Sequence, residues 1–446
     1  MKKILEKIIE YLFYFFVFIF FWQTKLIIRS AETNYNEIAL YFNYLLLLLI
    51  LVLFIFYLFK YKSKDFADNF DFSRYWVALA GMEFFIFLSI FVSQAREITI
   101  FKYILFLFAI GLLFLITQFK FNIKKIILVL LMALFIQALL GISQFFSQAT
   151  FSSEYLGIAS HDPAVLGVSV LENESGRFVR AYGAFDHPNI FGALMFFAIF
   201  FVILLLMDSR FRFNKSCCQS KKESVGKRQL NLDFCKILIY LSLFVFIAAL
   251  IVSFSRSALL ALGLSLVFLL IVSFFNKNNF KKYLPIFIFC LSSIVIFFII
   301  LQPLVMNRFK LDSRLERISI DERSGQLGEA REVIRNNPLL GVGLGAYHQG
   351  LLNKDATLKS YQAQPVHNVF LLSLAEIGLW GFIFFLLFIF YIIKKNALSW
   401  HNYPLFIGLF VFMALDHWLW SLPFGLLFMF FIFGLTFYFK YDNIDG

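Results

Sequence analysis

The chain has 446 residues, of which 61% are hydrophobic and 15% charged, and a formal net charge of +12. A water-soluble domain of this size has no way to hide that much apolar surface. The apolar residues also fall in runs of about twenty, the length a helix needs to cross ~30 Å of hydrocarbon, so the composition excludes a soluble enzyme and predicts an all-α integral membrane protein.

Taken in chain order, the runs predict twelve spans, near 8–28, 38–59, 76–93, 101–118, 126–148, 189–207, 237–253, 258–275, 284–305, 368–393, 404–420 and 423–439. The basic start MKKILEK is followed by no small-residue cleavage site, so the first span reads as retained. An even number of spans puts both termini on one side. With the N-terminus inside, the inner segments hold 24 of the 40 Lys and Arg residues, including Lys2, Lys3, Lys7, Lys124, Lys125, Lys394 and Lys395. The short outer segments hold seven, and the remaining nine sit in one long outer loop, where the positive-inside rule has little force. The expectation is N-in and C-in. The positive charge is then mostly topology, and a nucleic-acid role is rejected. Cys217, Cys218 and Cys235 fall on the inner side and Cys290 within a span, so no outer disulfide framework is expected.

Loops separate these runs. The outer connections 149–188 and 306–366 are long, the second lying between spans nine and ten as a large periplasmic loop. The inner loop 208–236 is basic and reads as a solvated cytoplasmic linker. In SGQLGEAREVIRNNP, apolar and small residues recur at helical spacing, which predicts a surface helix ended by Pro338. GVGLGAY follows; without a βαβ unit around it, this glycine pattern is not a nucleotide fold.

Polar residues at the span ends are the candidates for chemistry. In VSFSRSALLALG, Arg256 stands in a short connection, suited either to holding phosphate oxygens or to snorkelling toward lipid headgroups. In ESGRFVRAYGAFDHPNIFGALM, Arg177 and Arg180 precede the sixth span, and anion binding is the favoured reading of the pair. His187, Pro188 and Asn189 stand at the start of that span, where Asn189 reads equally as a simple cap. Glu83 is the one clear mid-span carboxylate and is expected to pair with a polar group inside the bundle. In QPVHNVFLLSLAEIGLWG, His367 and Asn368 stand at the outer rim of the tenth span. Gly378 and Gly381 share its helical stripe and are expected to let another helix approach closely. His367 reads as a cap or interfacial side chain, or as a neutral imidazole that takes a proton from a hydroxyl. Together these residues suit a lipid-linked sugar diphosphate. The hydroxyl attacks the anomeric carbon, His367 takes its proton, and arginines stabilise the departing diphosphate.

The segments RAYGAFDHPNIFGALM, SFSRSALLALG, NPLLGVGLGAY and HNVFLLSLAEIGLWG, in that order and each beside a predicted membrane boundary, resemble the O-antigen ligase and O-antigen polymerase family of bacterial membrane glycosyltransferases. The resemblance covers residues 120–440. It implies His367 as the catalytic residue and Arg256 and Arg180 as diphosphate contacts, with Arg177 beside them. Arg323, fifteen residues before Pro338, matches an arginine the family often carries, although Leu327 stands where tryptophan commonly follows it. His187, Asn189, Asn368, Gly378 and Gly381 take supporting places. The resemblance further implies an undecaprenyl-diphosphate-linked glycan as donor, lipid A-core of lipopolysaccharide or another glycan as acceptor, and surrounding membrane lipids. The active site would face the periplasm from the bacterial inner membrane. No cofactor and no metal are expected: the outer side has no Asp-x-Asp, Glu172-Asn-Glu174 being the nearest pair. The single dominant loop before His367 tips the reading toward a ligase. The alternatives are a polysaccharide polymerase of the same family, a related protein O-glycosylating enzyme, and a lipid-linked sugar transporter or flippase that would use Glu83.

Overall fold

A computed structural model describes residues 1–31, 33, 35–61, 73–165, 167–173, 176–207, 225–275, 277–309, 314–354, 363–396 and 402–439. The protein is an all-α integral membrane protein, with two small hairpins among the described residues. Among the described residues, eight helices are long and apolar enough to cross a membrane. These are α2 (Phe42–Tyr61), α3 (Arg74–Val92), α4 (Arg96–Gln118), α5 (Ile123–Ser147), α6 (Pro188–Met207), α8 (Arg256–Phe274), α9 (whose apolar part is Phe280–Ile300) and α13 (Val369–Asn396). The other predicted spans fall on shorter elements: α1 (Lys2–Phe18), the apolar part of α7 (Val225–Val252), α14 (Tyr403–Leu415) and α16 (Pro423–Thr436).

The chain folds into two compact units. One comprises Met1–Ile123, Arg314–Asn402 and Leu409–Gly446; the other comprises Lys124–Ser313 and Tyr403–Gly408. In the first, α13 packs along α3, α16 along α4, and α1 along α2. In the second, α6 packs against α7 and α8, and α9 joins α7 and α8. Helix α6 is apolar on every face, and nearly all of its side chains are buried, as expected of a central rather than a lipid-facing helix.

The structure alters several sequence expectations. The span predicted at 8–28 stops at Phe18, because residues Lys25–Arg29 (β1) pair antiparallel with Ile38–Tyr41 (β2), and Lys25 Nζ donates to Glu37 Oε1 at 2.5 Å. Loop 149–188 carries a second hairpin, Val170–Asn173 (β3) and Gly176–Val179 (β4). The predicted linker 208–236 is helical from Val225 onward, and 208–224 lies outside the described residues, as do Cys217 and Cys218. Among the described residues, the loop between α9 and α13 contains three helices: α10 (Gln302–Phe309), α11 (Arg314–Asn336) and α12 (Tyr347–Lys354). Helix α11 closes just before Pro338; it packs on α13 and buries Ala330 and Val333. The predicted span 404–420 breaks after Leu415, where Asp416 turns to an extended conformation (φ −153°, ψ 169°) before the short helix α15 (Trp418–Ser421). Glu83 does have a polar neighbour: Tyr103 Oη donates to its carboxylate.

The main departure is in α13, which is not one straight helix. Gly378 has φ 67° and ψ −177°, a backbone state that residues with a Cβ rarely adopt. A break inside an apolar helix frees backbone groups, and each one left unsatisfied in hydrocarbon costs several kcal/mol. The segment after Pro338 satisfies them here. Val342 N–H donates to Ala375 O at 3.0 Å, Gly343 N–H to Glu376 O at 2.9 Å, and Leu379 N–H to Pro338 O at 2.9 Å. The approach leaves room for backbone only. A Cβ at Gly378 would lie 2.3 Å from Leu339 O, and one at Gly341 (φ 71°) would lie 2.4 Å from Glu376 O. Gly378 therefore receives a loop backbone and not the helix anticipated from its spacing. At Gly381 the nearest atoms a Cβ would meet belong to the side chain of Ile377, one turn earlier in its own helix.

Gly378→Ala combines a strained backbone with a clash against a carbonyl and is expected to destabilise the protein by about 3 kcal/mol or more. A thermal melt of the purified protein in detergent checks this; an unchanged midpoint would contradict the packing described.

Candidate functional site

The candidate residues divide between the two units. In the Lys124–Ser313 unit, two glutamines of α5 set the frame. Gln144 Oε1 accepts from Gly183 N–H at 2.8 Å and Tyr182 N–H at 3.2 Å, while its Nε2 donates to Gly183 O at 2.8 Å. Gln137 Oε1 accepts from Ala184 N–H at 2.9 Å. Both glutamines are buried, seven residues apart on one face of an apolar helix, and they hold the segment RAYGAF by its backbone. Ala181 N–H adds a bond to Val252 O, tying the segment to the end of α7.

Arg180 is 2% exposed and engaged by the protein itself. Its Nε donates to Ser253 O at 2.8 Å, one terminal nitrogen to Ser169 Oγ at 2.8 Å, and the other to Asn189 Oδ1 at 2.9 Å. The guanidinium thus clamps three segments together. Asn189 gives its side-chain oxygen to that clamp and is not the helix cap. His187 is: its Nδ1 accepts from Asn189 N–H at 3.1 Å, and its carbonyl accepts from Ile190 N–H at 3.1 Å. Arg177 lies across the β3–β4 hairpin from Glu172, with Nε 3.4 Å from the carboxylate. Glu172 is therefore partnered, and Glu174 lies outside the described residues.

Arg256 is the first residue of α8, behind the cap Ser255, whose Oγ accepts from Ala258 N–H. It is half-buried and lines a small apolar pocket with Ile251, Phe254, Leu259, Phe298 and Arg308. Arg308 of α10 donates from Nε to Phe254 O at 3.3 Å. Arg256 and Arg308, from different helices, thus both line this one small apolar pocket.

In the other unit, His367 precedes α13 and Asn368 caps it. Asn368 Oδ1 accepts from Leu371 N–H at 2.9 Å, and its Nδ2 donates to Ala414 O at 3.0 Å. That second bond fixes the start of α13 against the end of α14, where the helix breaks. His367 Nδ1 lies 3.6 Å from Asp416 Oδ1, and the rings of His367 and His417 are 4.9 Å apart. Asp416 and His417 are buried, while His367 is 26% exposed. His417 Nδ1 meets Ser421 Oγ at 2.7 Å. A histidine backed by a buried carboxylate is the arrangement that holds one ring nitrogen and presents the other as a base. Neither Asp416 nor His417 stands out in the sequence, because both lie inside an apolar run. Two adjacent polar residues interrupting such a run are the available signal.

In the same unit, Glu376 and Lys102 stand buried beside a small cavity that Tyr347, His348 and Trp420 also line. Trp420 Nε1 donates to Glu376 Oε2 at 2.8 Å, and Lys102 Nζ donates to Ser421 O at 2.9 Å. Arg323 lies on α11, half-buried, in the same unit as His367.

Residues 241–386 match the model of a family described as O-Antigen ligase. Over these residues the chain is similar to that O-antigen ligase family. The matched stretch of this O-antigen ligase-like chain contains Arg256, Arg308, Arg323, the loop after Pro338, His367, Asn368, Gly378 and Gly381. Arg177, Arg180, His187 and Asn189 lie before it, and Asp416 and His417 after it. The match supports an O-antigen ligase or polymerase-like function in general, with lipid-linked glycan substrates in a membrane setting. No curated protein matches the chain.

Arg180 and Arg256 should separate by experiment. Arg180→Ala leaves three acceptors without a charged donor and is expected to cost about 3 kcal/mol or more of stability, with Arg180→Lys recovering only part because it lacks the planar fork. Arg256→Ala should stay within about 1 kcal/mol of the parent. Thermal melts of the three variants check this ordering.

Proposed function

We propose that the protein is a ligase-type glycosyltransferase that moves a glycan from undecaprenyl diphosphate to a hydroxyl of lipid A-core. The observation that carries this reading is the His367–Asp416 pair at the start of α13. At 3.6 Å the contact lies just beyond a hydrogen bond, as catalytic contacts often do before substrate binds. With Asp416 holding the proton on Nδ1, Nε2 keeps its lone pair for the acceptor hydroxyl. The hydroxyl oxygen attacks the anomeric carbon as its proton passes to Nε2. The bond from that carbon to the diphosphate oxygen breaks, with inversion. The negative charge then grows on the diphosphate, and Arg256 is the residue assigned to compensate it. Arginine takes the part a metal ion plays in other transferases, so the reaction needs none. Arg180 serves by holding the segment that leads into α6.

The same reading sets the orientation. With both termini inside, α13 begins at the periplasmic face of the inner membrane, and the loop between α9 and α13 lies on that side. The loop before His367 is the largest segment available to recognise an acceptor, which favours the ligase over a polymerase.

Complementation in two hosts tests the proposal, one lacking its O-antigen ligase and one its polymerase, with lipopolysaccharide resolved on a gel. Glycan on lipid A-core is expected with the wild type in the ligase-deficient host. It should be lost with His367→Ala, since a general base contributes about 100-fold or more, and reduced with Asp416→Asn. Longer chains in the polymerase-deficient host would name a polymerase instead. With purified protein and a defined donor, chelation should leave the rate unchanged; loss restored by magnesium or manganese would overturn metal independence.

A further inference from the structure

We propose that His367, Asp416 and His417 form an inhibitory site for a borderline-soft divalent cation, zinc above all. The inference rests on the reading of His367 as the base, and it adds a ligand that the glycosyl transfer does not require.

Two imidazoles and one carboxylate offer ligand atoms that all lie within 4.8 Å of one another. That spacing suits a four-coordinate ion after small side-chain rotations, with one position left for water. The donor set favours zinc over magnesium or calcium, which prefer all-oxygen shells. Two further observations point to a ligand. His367 Nδ1 is buried and makes no hydrogen bond, although it faces Asp416 Oδ1. His417 Nδ1 is already engaged by Ser421 Oγ at 2.7 Å, leaving Nε2 as its ligand atom. A ligating histidine is characteristically oriented through its other ring nitrogen in this way. The backbone around the site is also fixed, since Asp416 Oδ1 accepts from His417 N–H at 2.7 Å and Asn368 ties the start of α13 to Ala414.

Inhibition follows from counting protons on one ring. A neutral imidazole carries a single N–H. When the Nδ1 lone pair of His367 goes to the metal, that proton must sit on Nε2. Nε2 then has no lone pair to receive the acceptor's proton. The metal also takes the Asp416 carboxylate that would otherwise hold Nδ1–H. Zinc therefore locks the unproductive tautomer without touching either substrate.

The test uses the full-length protein in detergent, with Cys217, Cys218 and Cys235 changed to Ser so that thiolates do not compete for metal. Zinc chloride is titrated by equilibrium dialysis, and melting is followed in parallel. One tightly bound zinc per chain is expected, together with a zinc-dependent rise in the melting midpoint. His417→Gln and Asp416→Asn should each weaken binding by about 100-fold and abolish that rise. Absence of zinc binding, or unchanged affinity in both variants, would overturn the site. In an active preparation, zinc should slow glycan transfer and a chelator should restore it; bound zinc with an unaltered rate would overturn the inhibitory role. A preparation that transfers no glycan to any acceptor would count against the proposed function alone, because stoichiometry and melting still decide the metal site.

Discussion

A membrane helix that breaks must find new partners for the backbone groups it releases, and in this protein one short segment supplies them. The carbonyls of Ala375 and Glu376 and the N–H of Leu379 are satisfied by the stretch from Pro338 to Gly343. The break requires Gly378, the close approach requires Gly341, and the direction of the segment is set by the end of α11 at Asn336. That single arrangement anchors the large loop to α13. It also places Glu376 where Trp420 reaches its carboxylate, so the short helix α15 is held at the same level as Asp416 and His417.

The second unit solves a related problem with side chains. Its long loop has little regular structure of its own, yet Tyr182, Gly183 and Ala184 find backbone partners in the buried amides of Gln137 and Gln144. Arg180 completes the arrangement. A buried guanidinium is expensive unless its donors are used, and here its bonds to Ser169, Asn189 and Ser253 fulfil that requirement. Arg180 and Arg256, alike on paper, therefore differ in kind. One is consumed by the architecture, while the other stands half-buried at a pocket with Arg308.

The hydrophobic runs made the helical membrane fold legible, since runs of that length have few other uses. The position of His367 was legible too, because a histidine before a long apolar helix is conspicuous. Its carboxylate partner was hidden for the opposite reason: Asp416 and His417 interrupt a run that otherwise reads as continuous, and hydropathy averaged over twenty residues absorbs them. The two glutamines of α5 were lost in the same way, although their spacing of seven marks one helical face. The glycines carried an ambiguous message. A glycine in an apolar helix announces close approach, but only the folded chain distinguishes a neighbouring helix from an inserted loop. The β1–β2 hairpin escaped notice because its strand Lys25–Arg29 adjoins an apolar run and carries apolar residues itself.

The division of the chain into two units bears on the order in which a ribosome can complete them. The Lys124–Ser313 unit is nearly continuous in sequence, needing from later in the chain only Tyr403–Gly408. The other joins Met1–Ile123 to segments that begin at Arg314, and within it α3 packs along α13 and α4 along α16. Helices α3 and α4 therefore enter the membrane long before α13 and α16 exist, and they wait through the synthesis of the whole middle of the chain. The buried faces of α3 and α4, Lys102 among them, remain uncovered in that interval. Late truncations should thus leave α3 and α4, and not the middle of the chain, as the part exposed to membrane quality control.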